Sequence, residues 1–213
     1  MLTRVESTVS PGACGPLLAS RWPLDHATLA HRAALVGAVA VLTAIAAQVS
    51  VPLPWTPVPL SLQTLAVLLG AASVGARLAA SGQVLYLALG LLGLPVFAAS
   101  GILPQGAARL LGPTGGYLLA FPVAAWVVGR LAERGWGLAC LHAVPAFLAG
   151  WAIIIASGVV WLAVWPAAPL GWRDAWLAGA QPFLVIDALK VAAAATLLPV
   201  GYRLLRPPTV PPV

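Results

Sequence analysis

Six apolar segments dominate the sequence, and they limit the folds that are available to the chain. A helix needs about 20 apolar residues to cross the hydrocarbon layer of a bilayer, and the six segments, which have 15 to 27 residues, approach or exceed that length. The segments are residues 29–51, 60–74, 78–98, 117–131, 138–164 and 182–204. The sequence therefore predicts an all-α, polytopic membrane protein with six transmembrane helices.

The composition excludes a water-soluble fold. Apolar residues make up 61% of the chain and charged residues 8%, whereas a typical soluble domain is about 45–50% apolar and about 25% charged. Most of the surface is therefore expected to contact the lipid bilayer. The net charge of +6 does not indicate nucleic-acid binding, because the arginines stand singly at the ends of apolar segments and form no basic patch.

The arrangement of the segments predicts one transmembrane domain, residues 29–204, between two tails. Residues 1–28 contain no signal-peptide core and are interpreted as a mobile cytoplasmic tail, and the Pro-rich residues 205–213 as a second cytoplasmic tail. With both termini inside, the basic residues lie on the cytoplasmic side, except for Lys190 and the outer Arg109 and Arg173. The positive-inside rule therefore favours a multi-pass protein of the cytoplasmic membrane with this orientation.

Asp187 and Lys190 interrupt the sixth segment in "PFLVIDALKVAAAATLL" and share one face of the predicted helix, because they are three residues apart. Charges inside a membrane segment are costly and usually face the interior of the bundle. The pair is either a structural ion pair between helices or a binding site for a polar ligand. A carboxylate accepts two N–H groups, and an ammonium donates to a carbonyl or an anion.

Arg109 stands on the outer side, just before the turn "GPTGG". It either reaches the lipid headgroups or holds a carboxylate in two charge-assisted hydrogen bonds. The turn lacks the Gly-Lys-Ser/Thr of a nucleotide-binding loop. Its Gly115 permits close approach of the backbone, and free N–H groups at the start of the next helix favour an anion. A plain turn is the alternative.

Three uncharged polar side chains lie near the outer half of the predicted bundle. Gln63, in "PLSLQTL", is costly in an apolar helix unless it is paired, so it either bridges helices or binds a ligand. Tyr86 and Tyr117 are either aromatic-belt residues or part of the same site. No nucleophile with a base, no pair of carboxylates and no metal-ligand spacing is present, so the sequence predicts neither an enzyme nor a metal or cofactor site.

Small residues recur every four positions on the first segment, at Ala30, Ala34 and Ala38. This spacing lets another helix approach closely. The partner of the stripe is either a helix of the same bundle or a helix of another subunit.

Several strings resemble the BioY biotin transporter family. They are "VPLPWTPVPLSLQTLAVLLG", "LLGPTGGYLLAFPVAAWVVG" and "PFLVIDALK", in the family's order and over residues 29–204. The resemblance implies a six-helix S component of an energy-coupling-factor (ECF) transporter, which captures biotin outside the cell. It also implies a transmembrane coupling subunit and two ATPase subunits as partners. Uptake of another vitamin, or of biotin without the ATPase module, stays open. The stretch "ASGILPQG" departs from the family pattern.

The resemblance also implies roles for individual residues. The family's polar positions align with Gln63, Arg109, Tyr117, Asp187 and Lys190. Tyr86 and Gly115 complete the predicted biotin site, and Ala30, Ala34 and Ala38 are the expected contact with the coupling subunit. Biotin combines an apolar bicycle, a ureido group and a carboxylate, so its site should be mostly apolar with a few convergent polar groups.

Overall fold

A computed structural model of the protein describes residues 28–99, 104–136 and 140–205. The described helices are α1 (Leu29–Gln48), α2 (Gln63–Val74), α3 (Ala76–Leu91), α4 (Ala107–Leu111), α5 (Gly115–Leu131), α6 (Cys140–Val164), α7 (Gly171–Gly179) and α8 (Leu184–Leu205). Two short strands, β1 (Ser50–Val51) and β2 (Leu60–Ser61), pair antiparallel. The predicted all-α class is confirmed. The predicted tails fall outside the described residues, except for Thr28 and Leu205.

Four of the described helical segments are long and apolar enough to cross a membrane, judged by length and composition. They are α1, α5 with the π-helical turn Ala132–Trp136, α6, and the continuous stretch from α7 to α8. Helices α2 and α3 are also apolar but have only 12 and 16 residues. Each predicted segment therefore contains an apolar helix, and the count of six includes the two shorter ones.

The third predicted segment is wrong at its outer end. The sequence predicts a span to Ala98, but α3 ends at Leu91. Gly93 follows with a φ of 86°, and Pro95 has no backbone N–H to donate, so a helix cannot continue through this stretch. The chain turns back instead. Phe97 is buried there, with its ring edge-on to Tyr86 at a centroid distance of 5.4 Å.

The proline-rich connection before α2 is the loop of a small hairpin. Ser50 pairs with Ser61 and Val51 with Leu60, so residues 52–59 form a loop between the two strands. The Thr56 hydroxyl donates to the carbonyl of Ala178, at the end of α7, over 2.7 Å. This bond ties the hairpin to α7, a helix that the hydropathy pattern did not predict.

Helix α5 lies against α2, α3 and α6 at the centre of the bundle. Small residues allow this close packing: a Cβ at Gly129 would overlap the backbone of Ala76, and one at Gly116 would overlap the Cβ of Trp161. Between α1 and α3 the contact is partly polar. Gln83 Nε2 donates to Thr43 Oγ1 over 2.9 Å, and both residues are fully buried.

A single residue, Gly75, joins α2 to α3. Its φ of 87° lies in the left-handed region, which favours glycine. The first N–H of α3, from Ala76, donates to Glu133 Oε1 over 2.9 Å, so a side chain from the end of α5 caps the helix. A negative charge is favourable at this position because of the helix dipole. Glu133 also pairs with the exposed Arg130 at 3.1 Å.

Candidate substrate-binding site

A cavity of about 620 Å³, including its open mouth, lies between the hairpin, α2, α4, α5, α6 and α8. Cavities that bind small molecules are mostly apolar and carry a few convergent polar groups. This one has apolar walls of aromatic and branched side chains, to which Phe97, Phe121, Ile154, Ile155 and Phe183 belong. Its charged side chains are Arg109, Asp187 and Lys190, so the lining carries one positive charge in excess.

Five of the seven predicted site residues line this cavity: Gln63, Arg109, Tyr117, Asp187 and Lys190. They come from α2, α4, α5 and α8, so residues that are far apart in the sequence converge on one space. Tyr86 and Gly115 do not line the cavity and lie behind its wall.

Asp187 and Lys190 form a buried ion pair on α8. Lys190 Nζ lies 2.6 Å from Asp187 Oδ1, and the two side chains are 7% and 4% exposed. The other carboxylate oxygen, Oδ2, accepts a hydrogen bond of 2.9 Å from the indole N–H of Trp151 on α6. An ionised carboxylate has about four acceptor positions, so after these two bonds Asp187 still has capacity for N–H donors of a ligand.

Arg109 is buried without a partner for its Nε. The residue is 3% exposed, and its Nε–H meets no hydrogen-bond acceptor among the described residues. Burial lowers the pKa of the Arg109 guanidinium from its ordinary value, but an arginine stays protonated in proteins. A buried charge without a partner is costly. A ligand that brings an anionic group into the cavity would supply the missing acceptor.

Gln63 faces the cavity and is held from both sides. Its Oε1 accepts from the Ser61 hydroxyl over 2.9 Å, and its Nε2 donates to the Tyr86 hydroxyl over 2.6 Å. Tyr86 in turn donates to the carbonyl of Val96 over 3.2 Å. The fully buried Tyr86 therefore connects Gln63 to the loop after α3, and this chain of hydrogen bonds fixes the orientation of the amide.

Tyr117 lines the cavity with its ring, while its hydroxyl serves another contact. The hydroxyl donates to the carbonyl of Gly179, at the end of α7, over 2.7 Å. Tyr117 thus joins the start of α5 to the end of α7.

Gly115 contributes packing beside the cavity. A Cβ there would overlap the carbonyl oxygen of Leu110. Its N–H donates to the carbonyl of Gly112 over 3.0 Å, so this amide of the "GPTGG" turn is already used within the protein. The preceding Thr114 lines the cavity instead.

Sequence reasoning missed several residues of the site. Trp151 is one of nine tryptophans; tryptophans are common at membrane interfaces, and no local pattern distinguishes this one from the others. Ser61 stands two residues before Gln63, and Phe183 follows Pro182 at the start of the sixth segment, so both were close to recognised positions. Among the described residues, no group of three His, Cys, Asp or Glu side chains is placed to hold a metal ion.

Comparisons with known proteins agree with this architecture. The sequence matches the model of the BioY family over residues 19–207. The biotin transporter BioY of Thermotoga maritima is 37% identical over 161 residues, which cover 76% of this chain and 89% of that protein. The biotin transporter BioY of Rhizobium etli is 31% identical over 176 residues, with coverages of 78% and 91%.

A solved structure shares the fold. The crystal structure of the S-component for biotin from an ECF-type ABC transporter matches with a TM-score of 0.67 and 21% sequence identity. The match covers 84% of this chain and 94% of that chain. With a family match that spans most of the sequence and relatives above 30% identity, the resemblance seen in the sequence is confirmed: the chain belongs to the BioY family.

Proposed function

We propose that the protein binds biotin in this cavity and imports it as the S component of an ECF transporter. The observation that carries the proposal is the combination of an apolar cavity with a partnered carboxylate, Asp187, and an unpartnered guanidinium nitrogen on Arg109. Biotin has the complementary groups, namely an apolar bicycle, two ureido N–H donors and a carboxylate. The names of the relatives from Thermotoga maritima and Rhizobium etli support the same ligand.

In the proposed binding mode, each polar group of biotin meets an opposite partner. Asp187 accepts one ureido N–H group, while Lys190 donates to the adjacent ureido oxygen and stays paired with Asp187. Arg109 holds the carboxylate, and this pairing also neutralises the excess positive charge of the lining. Gln63 offers a second polar contact, and the ring of Tyr117 covers apolar surface of the ligand.

The proposed contact with a coupling subunit is the small-residue stripe on α1. Ala30, Ala34 and Ala38 are all exposed, whereas Val39 and Ala40, on the other side of the helix, are buried. A helix of a partner could therefore approach α1 closely along the stripe. The likeness to an ECF S-component fold supports a transmembrane coupling subunit as that partner, with two ATPase subunits as the source of energy.

The proposed location is the cytoplasmic membrane, with both termini in the cytoplasm and residues 29–204 as the transmembrane domain. The exposed Arg77, Arg130 and Arg134 lie at the ends of helices that would face the cytoplasm. Arg109 is buried and adds no charge to the outer surface, which leaves Arg173 as the exposed arginine on that side among the described residues. This asymmetry supports the proposed orientation.

Biotin titration of the detergent-purified protein tests ligand identity. We expect a Kd below the micromolar range, and a markedly weaker Kd for biotin methyl ester because the ester removes the negative charge that Arg109 would meet. Other vitamins, such as thiamine and riboflavin, are titrated in parallel. Submicromolar binding of one of these, with no response to biotin, would assign the cavity to another ligand.

Uptake of labelled biotin tests the transport role. Cells that lack their own biotin uptake are supplied with this chain alone or with a coupling subunit and ATPase subunits. We expect rapid accumulation only in the second case, because no ATPase motif is found in the sequence and the energy for uptake would have to come from the added subunits. Equal uptake in both cases would favour a stand-alone transporter.

A further inference from the structure

We propose that Trp151 is the residue that positions Asp187 for its ligand and thereby sets the affinity for a ligand with N–H donors. This role rests on biotin being the ligand, as proposed above. Among the described residues, the bond from the Trp151 indole is the one hydrogen bond that ties the Asp187 carboxylate to a different helix. The other bond comes from Lys190, which lies on the same helix, three residues away.

The difference between these two bonds matters because of how a carboxylate rotates. The last side-chain torsion of an aspartate has a broad energy profile, so the plane of the carboxylate is set by its hydrogen bonds. Lys190 moves with α8 and cannot fix Asp187 relative to the rest of the cavity. Trp151 is on α6, which also supplies Ile154 and Ile155 to the cavity wall. Its indole N–H fixes Oδ2 relative to that wall.

The position of Trp151 on α6 is consistent with this role. Ile154 and Ile155 follow it by three and four residues, so all three share one face of the helix. The neighbouring Gly150 faces α5 and α2, because a Cβ there would overlap Val128 Cγ2 on α5 and lie 2.7 Å from Leu68 Cδ2 on α2. The absence of a side chain at Gly150 lets α6 pack tightly against α2 and α5, while the indole at the next position reaches Asp187.

The role also assigns a distinct function to each bond that Asp187 makes. Lys190 compensates the negative charge of the carboxylate, and Trp151 fixes the orientation of the carboxylate plane. The free acceptor positions of the carboxylate then point in one fixed direction, which favours binding of an N–H donor that a rigid ring also holds in a fixed direction. A cavity with a freely rotating carboxylate would bind such a ring less tightly, because the freedom would be lost on binding.

The test is a double-mutant cycle in detergent-purified protein, with biotin as the probe. Trp151→Phe keeps an aromatic ring and removes the N–H, and we expect its Kd to rise about tenfold. In an Asp187→Asn background, the same substitution should change the Kd less than twofold, since the carboxylate that Trp151 positions is gone. Trp126→Phe, an exposed tryptophan on α5 next to Arg130, should leave the Kd unchanged.

Two outcomes overturn the role of Trp151. One is a Kd for Trp151→Phe within twofold of the unchanged protein. The other is an equal loss in both backgrounds, which would mean that Trp151 acts by packing alone. If Trp151→Phe does not yield folded protein, Trp151→His, which keeps a ring N–H, is compared with Trp151→Met, which has none, and equal affinities of these two reject the role. Absence of biotin binding in the unchanged protein would instead reject the proposed ligand.

Discussion

Asp187 and Arg109 are both buried and line the same cavity, but their charges are satisfied in different ways. Asp187 has partners on both carboxylate oxygens, Lys190 and Trp151. The Nε of Arg109 has none among the described residues. The carboxylate therefore has a partner on each oxygen before a ligand arrives, whereas the Nε of the guanidinium gains a partner only with a ligand. The first should support both folding and binding, and the second should support binding alone.

Replacement of Asp187 by asparagine should have the largest effect. The change leaves the Lys190 charge buried without a counterion, and breaking a buried ion pair costs about 3–5 kcal/mol. We expect the Kd for biotin to rise at least 100-fold and the melting temperature of the ligand-free protein to fall. Isothermal titration and thermal unfolding in detergent measure the two effects. Asp174→Asn, an exposed site on α7, is the matched control, and a Kd within threefold of the original would contradict the assignment.

Replacement of Arg109 by methionine should separate binding from folding. Charge-assisted hydrogen bonds contribute about 1.5–3 kcal/mol, so the Kd for biotin should rise about 10- to 100-fold, while the Kd for biotin methyl ester stays nearly constant. The ligand-free protein should melt at the same temperature or higher, because a buried charge without a full set of partners has been removed. Arg173→Met is the control. A clear fall in melting temperature would show that Arg109 has a structural partner, and the contrast with Asp187 would be lost.

Replacement of Tyr86 by phenylalanine should have a smaller effect, because Tyr86 acts from behind the cavity wall. The hydroxyl joins Gln63 to the loop after α3, and its loss frees the amide to rotate. We expect the Kd for biotin to rise about three- to tenfold, in line with one neutral hydrogen bond. Titration against Val84→Ala, an exposed site on the same helix, provides the comparison. A loss as large as that of Asp187→Asn would place Tyr86 in direct contact with the ligand.

Replacement of Ala34 by leucine should leave the binding of biotin unchanged and reduce its uptake. Ala34 is exposed on α1 and takes no part in the cavity, but a bulky residue there would separate α1 from a coupling subunit. Uptake in the presence of the ATPase and coupling subunits should fall at least fivefold. Ala88→Leu, an exposed site on α3, should not affect uptake. Normal uptake by Ala34→Leu would exclude this stripe as the contact.

The parts of the site that were predictable from the sequence are those that violate the rules of a membrane segment. Asp187 and Lys190 are conspicuous in an apolar helix, and the sequence predicts Arg109 on the side of the membrane that disfavours positive charge. Trp151 violates no rule, since tryptophans are common in membrane proteins, and its role depends on a contact between α6 and α8 that local sequence does not specify. Tyr86 was predicted as a site residue, but periodicity cannot distinguish a residue that faces a cavity from one directly behind it.

The helices were predictable to the extent that hydropathy defines them. Average hydropathy located the apolar segments, but it could not place the end of α3 at Leu91, because residues 92–98 remain apolar after the helix has stopped. The end of α3 is instead indicated by Gly93 and Pro95, which a helix disfavours. Helices α4 and α7 were missed because they are too short to register as spans. Both lie in connections between the predicted segments, where α4 supplies Arg109 to the cavity and α7 supplies carbonyls that accept from Thr56 and Tyr117.

The single-residue joint at Gly75 limits how this chain can change its length. One additional residue at this joint, if it is taken up into the first turn of α3, would rotate the side chains of α3 by about 100° relative to α2. Tyr86 would then turn away from Gln63, and Gln83 away from Thr43. The N–H of Ala76 would also move away from Glu133. Insertions and deletions should therefore be absent from this joint during the divergence of related sequences, whereas the loop of the hairpin between β1 and β2 has room to vary.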